Sequence, residues 1–392
     1  MVMGLLILGL VLFLLLVVLH EFGHFIAARR GGVEVEEFGI GFPPMLFSKH
    51  FKNHKTKYTL NLLPLGGFVR LKGEHDSDST PGSYGAARMK TKIKIMLAGV
   101  GMNFAIAWFM LLILCVIGIP QLPLPGGEKQ FKIASDSHET SNSLFVSYVE
   151  PGSPADKAGL KVRDKIIKAA PVVCPSELVC GIHADPYTTF VDEGSLSNFT
   201  KQNAGKEIEL EVITSSGEIT KSDVTLRTAE EVNASKSTNS PKGYLGVVPY
   251  EYIIARSTWS APVVAAGLTY QFTKVTLQGL GSAIKNLVVG NASEASQNVS
   301  GPVGIFFVLK DGSSLGYRYV LLIVALLSLT LAIMNVLPIP ALDGGRLFVT
   351  LLFRKLKKPL TPKMEERIHG TGFAALMILF VLITLVDVRR FF

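Results

Sequence analysis

Charged residues and cysteines are scarce in this chain of 392 residues. Only 18% of the residues are Asp, Glu, Lys or Arg and only three are Cys, whereas 48% are hydrophobic and the mean hydropathy is +0.37. So few cysteines exclude a disulfide scaffold, and so much Leu, Ile, Val and Phe excludes a disordered or collagen-like chain. Soluble globular domains carry more charge than this, so the composition indicates a membrane protein.

Four apolar stretches are long enough to cross the hydrocarbon layer of a bilayer, which takes about 20 helical residues. They run from Met3 to Ala28, from Ile95 to Ile119, from Tyr319 to Leu337 and from Gly372 to Val386. A secretory signal peptide is the alternative for the first stretch, but no Lys or Arg precedes it and no small-residue cleavage site follows it. We therefore expect four transmembrane helices.

Basic residues cluster in the two short loops that join these stretches in pairs. Residues 29–94 contain 12 Lys and Arg against 6 acidic residues, residues 344–370 contain 7 against 2, and residues 121–318 contain 18 against 20. Because Lys and Arg of short loops stay on the cytoplasmic side, residues 121–318 and both termini are expected outside the cytoplasm. Arg389 and Arg390 weakly oppose this orientation. The net charge of +8 thus reflects topology, and no nucleic-acid partner is expected.

Ionisable residues interrupt the first stretch in the pattern HEFGH at positions 20–24. Residues four apart share one face of a helix, so His20 and His24 can bind one metal ion while Glu21 reaches a water on that ion. An acid at the centre of a spanning helix costs about 2.5 to 3.5 kcal/mol, so ionisable residues there are functional by default. The alternative is a solvated helix end just below the interface, which Arg29 marks.

A second motif, NVLPIPALDGG at positions 335–345, ends the third stretch. Prolines and glycines around an Asp break a helix, and irregular backbone at membrane depth is tolerated only where protein or water satisfies it. Catalytic zinc takes three protein ligands and keeps a fourth position for water, and His20, His24 and Asp343 supply that number. Taken alone, Asp343 would be interpreted as the cap of a Pro-Gly turn.

Residues 121–249 are expected to form one domain outside the membrane. The chain predicts a strand from Phe145, a turn, a short helix from Pro154 and a second strand, and then a hairpin of residues 206–213 and 219–226. The segments GSPADKAGL and Gly243-Tyr244-Leu245-Gly246-Val247 resemble the strand-turn-helix and the carboxylate-binding loop of a circularly permuted bacterial PDZ domain, an α+β fold. The resemblance implies peptide binding by strand addition, and a spacer that excludes bulky substrates is the alternative.

An insertion interrupts this PDZ pattern, and a linker comes after it in the chain. An insertion at about Pro171–Asp192 contains Cys174 and Cys180, which either form a disulfide in an outward-facing loop or stay unpaired because the loop between them is small. Residues 251–300 carry Trp259 and short amphipathic patches. We expect residues 250–318 to form an amphipathic linker along the outer membrane surface.

The motifs together resemble the bacterial site-2 proteases, intramembrane metalloproteases of the regulator-of-sigma-E protease group, over nearly the whole chain. The matching features are, in order, HEFGH, a β-rich cytoplasmic loop, GxxxN at Gly99–Asn103, a PDZ domain and NVLPIPALDGG. The resemblance implies that His20, His24 and Asp343 hold one Zn²⁺ per chain and that Glu21 is catalytic. Many relatives carry two PDZ domains, whereas this chain has room for one.

Residues 57–73, KYTLNLLPLGGFVRLKG, resemble the membrane-dipping β-loop that this family has near its active site. Their alternation predicts a strand that turns at Pro64 and Gly66-Gly67, and an ordinary soluble hairpin is the alternative. The residues implied in positioning a substrate are Leu65, Gly66, Gly67 and Phe68. Two amides, for which interhelical hydrogen bonding is the alternative, are implied in substrate handling or oxyanion stabilisation: Asn103 and Asn335.

The expected architecture is a polytopic α-helical membrane protein with four spans, a membrane-associated β-loop and one inserted PDZ domain. Residues 1–120 and 319–392 form its two membrane halves. The implied function is an intramembrane zinc metalloendopeptidase of the inner or plasma membrane. It would cleave single-span proteins, such as anti-sigma factors or remnant signal peptides, after an upstream site-1 protease. A catalytically inactive, membrane-tethered PDZ adaptor is the alternative, and a transporter is disfavoured because inverted repeats are lacking and the spans are too few.

Overall fold

The computed structural model describes the whole chain except residues 1, 51–55, 123, 173–186, 191, 215, 236–241, 291–300 and 392. The chain divides into two compact units. The first, here called the membrane unit, contains Met1–Ile117, Pro123–Asp136 and Ser257–Phe392. The second, here called the inserted unit, contains Gly118–Leu122 and Ser137–Arg256.

The helices and strands follow one another along both units. In chain order they are α1 (Val2–Arg30), β1 (Val35–His50), β2 (Lys57–Leu71), α2 (Met89–Ile117), β3 (Ile119–Pro120), β4 (His138–Val149), α3 (Pro154–Lys157), β5 (Lys165–Pro171), β6 (Thr188–Thr189), α4 (Glu193–Gln202), β7 (Glu207–Ile213), β8 (Ile219–Thr225), α5 (Ala229–Ser235), β9 (Val247–Arg256), α6 (Ala261–Val289), α7 (Pro302–Leu315), α8 (Tyr317–Val336), α9 (Asp343–Lys355) and α10 (Pro362–Phe391).

Four helices of the described chain, α1, α2, α8 and α10, are long and apolar enough to cross a membrane, as the sequence predicts. Helix α10, the fourth of them, is twice as long as the apolar stretch that predicts it, because that stretch begins only at Gly372. Good helix formers such as Lys363 and Glu365 extend it back to Pro362, because Pro is well tolerated in the first helical turn. The first three spans pack together, and Leu16, Leu309 and Val324 lie in the core that joins α1, α7 and α8.

The expectation of short amphipathic patches after residue 250 is wrong. Residues 251–256 belong to β9, and α6 is one continuous helix of 29 residues that packs against α2 and α8. Its apolar sequence is interrupted by Gly267 and several polar residues, so hydropathy alone does not reveal it. Tertiary packing stabilises it instead, because Ala265, Leu268 and Phe272 are buried.

Asp136 fixes the beginning of α6. Its carboxylate accepts hydrogen bonds from the backbone N–H groups of Thr258 and Ser260, each at 2.9 Å, and from both hydroxyl groups. Burial raises the pKa of this carboxyl, but the hydrogen bonds from Ser260 and Thr258 outweigh it and hold the pKa below its usual range. A charged acceptor at a helix N-terminus stabilises the helix.

Strands β1 and β2 form a separate two-stranded antiparallel sheet in the membrane unit. The first part of β1 lies between the two parts of β2, since Phe38 is the partner of both Val69 and Tyr58. The turn of β2 around Pro64 therefore does not make a simple hairpin: its two arms flank β1 instead of pairing with each other. The arm that ends at Leu71 lies at one edge of this sheet, within the part of the chain that the structure describes.

The inserted unit is built on a seven-stranded sheet with the strand order β3-β9-β4-β5-β7-β8, and β6 pairs with β5. The predicted hairpin of β7 and β8 and the short helix α3 are present, and Ser153 caps α3 by accepting a hydrogen bond from the backbone N–H of Asp156 at 3.2 Å. Leu144, Ile166 and Leu210 are fully buried in its core. The bounds differ from the expected 121–249, because residues 123–136 belong to the membrane unit and β9 extends to Arg256.

Candidate metal centre

Helix α1 carries His20 and His24 on the face that contacts α2, and each residue is 7% exposed. Glycines line the crossing of the two helices. A Cβ on Gly23 would lie 2.6 Å from the carbonyl oxygen of Ala98, and a Cβ on Gly99 would lie 2.4 Å from Nε2 of His24. The glycine of HEFGH and the first glycine of GxxxN therefore make room for two imidazoles between the helices.

The loop between α8 and α9 brings a carboxylate to these imidazoles, because α9 begins at Asp343. The two glycines that follow allow the first turn of α9 to lie directly on the loop backbone. A Cβ on Gly344 would lie 2.3 Å from the carbonyl oxygen of Val336, and a Cβ on Gly345 would lie 1.9 Å from that of Ile339. The sequence LDGG is thus a requirement of the turn that positions the carboxylate.

Three side-chain atoms converge at this point. Oδ2 of Asp343 lies 3.1 Å from Nε2 of His20 and 3.0 Å from Nε2 of His24, and the two nitrogens are 3.2 Å apart. Among the residues that the structure describes, this is the one group of three or more His, Cys, Asp or Glu side chains close enough to hold a metal ion.

The geometry fits zinc. Ligand atoms about 2.0–2.1 Å from a tetrahedral ion lie about 3.3 Å from one another, close to the separations of these three atoms. Two imidazoles and one carboxylate also form a normal donor set for a catalytic zinc ion, which keeps its fourth position for water or substrate. The residues present therefore suit a catalytic zinc site.

Helix α2 contacts the far nitrogen of each imidazole. Nδ1 of His24 donates a hydrogen bond to the carbonyl oxygen of Ile95 at 2.7 Å. Nδ1 of His20 lies 3.2 Å from the amide nitrogen of Asn103, which is fully buried. These contacts orient both rings so that their Nε2 atoms face Asp343.

Glu21 lies against the β-loop formed by β1 and β2. The backbone of Val69 in β2 lies near its carboxylate. A Cβ on Gly67 would lie 3.5 Å from Cγ of Glu21 and 3.1 Å from the carbonyl oxygen of Gly39, so the missing side chain lets β2 lie close to α1. The predicted positioning residues Gly66, Gly67 and Phe68 are in this part of β2, whereas the side chain of Leu65 lies outside the described part of the structure.

A cavity of about 210 Å³ opens at the three converging atoms. Asn335 lines it and makes no hydrogen bond within the described part of the chain, so its amide is available to a bound molecule. The residues that line the cavity are Val17, His20, Glu21, Asn103, Leu331, Asn335, Ala341, Leu342 and Asp343. The structure thus brings together both candidate amides and all four residues of the predicted catalytic set.

The other predicted sites lie in the inserted unit. The loop Gly243–Gly246 immediately precedes β9 and is held against α3, because the carbonyl oxygens of Leu245 and Gly246 accept hydrogen bonds from the backbone N–H groups of Ala155 and Glu150. The predicted disulfide partners Cys174 and Cys180 lie outside the described residues.

One contact of the site has no sequence signal. His369 of α10 accepts a hydrogen bond at 3.1 Å from the backbone N–H of Ala341, whose φ is +80°. Gly372 lies three residues after His369 on α10, and a Cβ added there would lie 2.4 Å from the Cβ of Pro340. Helix α10 therefore supports the loop that leads to Asp343. The sequence does not indicate this contact, because His369 is a single histidine beside an apolar stretch.

Comparison with known proteins agrees with this geometry. The family model of peptidase family M50 matches residues 8–379, which include the whole of the site. A Clostridium perfringens protein that carries the provisional name zinc metalloprotease is 30% identical over 382 residues, which cover 97% of each chain.

Two further relatives match over nearly their full lengths. The zinc metalloprotease RasP of Oceanobacillus iheyensis is 27% identical, with 97% of this chain and 98% of its own covered. The regulator of sigma-E protease RseP of Salmonella typhimurium is 26% identical, with 96% of each chain covered. The resemblance to site-2 proteases is thereby confirmed: the chain is a membrane metalloprotease that belongs to peptidase family M50.

Proposed function

We propose that the protein is an intramembrane zinc metalloendopeptidase that cleaves within the transmembrane segments of single-span membrane proteins. The observation that carries this proposal is the convergence of Asp343 with His20 and His24 within 3.2 Å, beside Glu21. The names of the relatives support zinc as the metal, and the geometry accommodates one ion per chain.

The proposed reaction is hydrolysis of a peptide bond. Zinc at this site would polarise the scissile carbonyl and lower the pKa of a water toward about 7. Glu21 accepts the proton of the attacking water and passes it to the leaving amine.

Asn335 is the better placed of the two candidate amides to stabilise the developing oxyanion. It lines the cavity and has no protein partner among the described residues, whereas the amide of Asn103 already contacts His20. An amide N–H within about 3 Å of the oxyanion would contribute most in the transition state.

The substrate must be extended where it is cut. The carbonyl groups of a helix are engaged in its own hydrogen bonds, so a helical segment must unwind before its scissile carbonyl can enter the cavity. The edge of β2 at residues 67–71 offers backbone groups onto which an unwound segment can add as a strand. Residues that break helices should therefore favour cleavage in a substrate.

The charge distribution and the inserted unit support a proposal for the cellular setting. We place residues 121–318 and both termini outside the cytoplasm, and the basic loops inside. The inserted unit is proposed to be a PDZ domain that binds the end of a substrate already trimmed by an upstream protease, or excludes substrates not yet trimmed. Anti-sigma factors and remnant signal peptides are the proposed substrates.

Two variants test the proposal. Glu21→Gln is nearly isosteric and leaves the three proposed ligands intact, so zinc should stay near one per chain while cleavage is lost. Asp343→Ala leaves only two imidazoles, so both zinc and cleavage should fall. The measurement is zinc per purified protein, together with cleavage of a transmembrane reporter.

Glu366→Gln is the matched control for Glu21→Gln, because Glu366 is an exposed carboxylate on α10. It should keep both zinc and cleavage. Full activity of Glu21→Gln would contradict the metalloprotease mechanism, and normal zinc with normal cleavage in Asp343→Ala would mean that a different residue is the third ligand. Absence of cleavage by the wild-type protein on every such reporter would favour the adaptor alternative.

A further inference from the structure

The far nitrogens of the two imidazoles have partners of different kinds. The partner of His24 is the backbone carbonyl of Ile95, which only accepts hydrogen bonds, so Nδ1 of His24 must carry the proton. Its Nε2 then has a free lone pair for a metal ion. Nδ1 of His20 faces an amide, which both donates and accepts, so this contact leaves the tautomer of His20 open.

The amide of Asn103 has two possible orientations. With the nitrogen toward His20, at 3.2 Å, Nδ1 of the imidazole must accept, and the proton then occupies Nε2, where it blocks a metal ion. In that orientation the buried Oδ1 of Asn103 also has no hydrogen-bond partner among the described residues. A rotation of 180° about χ2 exchanges the two atoms and directs Oδ1 at His20.

We propose that Asn103 is a positioning residue whose amide oxygen accepts a hydrogen bond from Nδ1–H of His20 and so leaves Nε2 free for the metal ion. The inference rests on the proposed role of His20 as a zinc ligand. It assigns to Asn103 the function that the carbonyl of Ile95 has toward His24. Both groups belong to α2, so one helix sets the tautomer of both proposed ligands.

The surroundings of Asn103 suit this role. The residue is fully buried, and its backbone carbonyl accepts a hydrogen bond at 2.9 Å from the hydroxyl of Ser328, itself fully buried on α8. This second bond links α2 to α8 through the backbone of Asn103 and does not involve its amide. The rotated amide directs its N–H groups away from His20.

Three substitutions separate hydrogen bonding from packing. Asn103→Asp keeps an oxygen acceptor at the same distance, so its zinc affinity should stay within about threefold of the wild type. Asn103→Leu has a similar shape without an acceptor and should lose about 10- to 100-fold in zinc affinity. Asn103→Ala also removes the acceptor, and its small side chain favours a helix. It therefore repeats the test if Asn103→Leu does not fold.

Ser328→Ala is the matched control, because it removes the neighbouring hydrogen bond at the backbone of Asn103 and leaves the amide intact. It should keep wild-type zinc affinity. Affinity is measured by competition with a chromophoric chelator, and thermal unfolding of the metal-free proteins checks that each variant folds.

The pattern of losses decides the result. Equal losses in Asn103→Asp and in the variants without an acceptor would mean that Asn103 acts by packing, and no loss in Asn103→Leu or Asn103→Ala would mean that it does not orient His20. Either result would overturn the inference. Failure of the wild-type protein to bind zinc would instead contradict the proposed function.

Discussion

At the scale of single residues, the site depends as much on missing side chains as on present ones. Gly99 is opposite both imidazoles: a Cβ there would lie 2.4 Å from Nε2 of His24 and 2.6 Å from Cε1 of His20. These separations are far below van der Waals contact, so any other residue at this position must displace a proposed ligand or separate α1 from α2.

Gly99→Ala should therefore lower zinc affinity by more than about tenfold, although Ala favours a helix by roughly 1 kcal/mol over Gly. Gly101→Ala is the matched control, because a Cβ on Gly101 meets no atom within 4 Å and gains the same helix propensity. The measurement is zinc affinity beside thermal unfolding of the metal-free proteins. Equal zinc affinity in the two variants would show that the imidazoles do not need the space at Gly99.

The residues of the proposed catalytic set could be predicted from the sequence because their signals are local. HEFGH places two imidazoles on one helical face, and the prolines and glycines around Asp343 mark a break at membrane depth. The contacts that orient this set could not be predicted. Asn103 contacts His20 across 83 positions of the chain, and Val69 of β2 comes near Glu21 only because α1 and β2 pack together.

At the scale of elements, the success of a prediction followed the regularity of its pattern. Strand β7 alternates strictly and a Ser-Ser-Gly turn follows it, so the sequence predicts the hairpin of β7 and β8 with nearly its observed bounds. Helix α6 carries Gly267 and several polar residues, and its stability comes from α2 and α8, so no local pattern could reveal it. The β-loop is intermediate: its strands were predicted, but not the position of β1 between the two arms of β2.

The β-loop is expected to position substrate without taking part in the chemistry. Phe68→Pro removes a backbone donor from the arm of β2 that lies beside Glu21 and distorts its edge. Cleavage of a transmembrane reporter should fall on the order of 100-fold, because small misplacement of a substrate costs about that much, while zinc stays bound. The control Phe68→Leu keeps the N–H and an apolar side chain and should retain most of the activity. Unchanged cleavage in Phe68→Pro would mean that this strand is an ordinary loop element.

At the scale of the whole molecule, the distribution of charge and the position of the metal centre are connected. The three proposed ligands come from the C-terminal part of α1 and from the first residue of α9. Residues 29–94 and 344–370 follow these two positions directly and have net charges of +6 and +5. Because positive loops are kept in the cytoplasm, we expect the proposed chemistry near the cytoplasmic side of the membrane.

Cysteine labelling in intact cells tests this orientation. In a background with Cys174→Ser and Cys180→Ser, Glu218→Cys introduces a thiol in the exposed turn between β7 and β8, and Lys358→Cys introduces one in the exposed loop after α9. The native Cys115 is buried and should not react. If residues 121–318 lie outside the cytoplasm, a membrane-impermeant maleimide should label the Glu218→Cys variant in intact cells and the Lys358→Cys variant only after permeabilisation. The opposite pattern would place the inserted unit in the cytoplasm. A PDZ domain there could not act on the outer part of a substrate trimmed by an upstream protease, so that part of the proposed function would have to be abandoned together with the orientation.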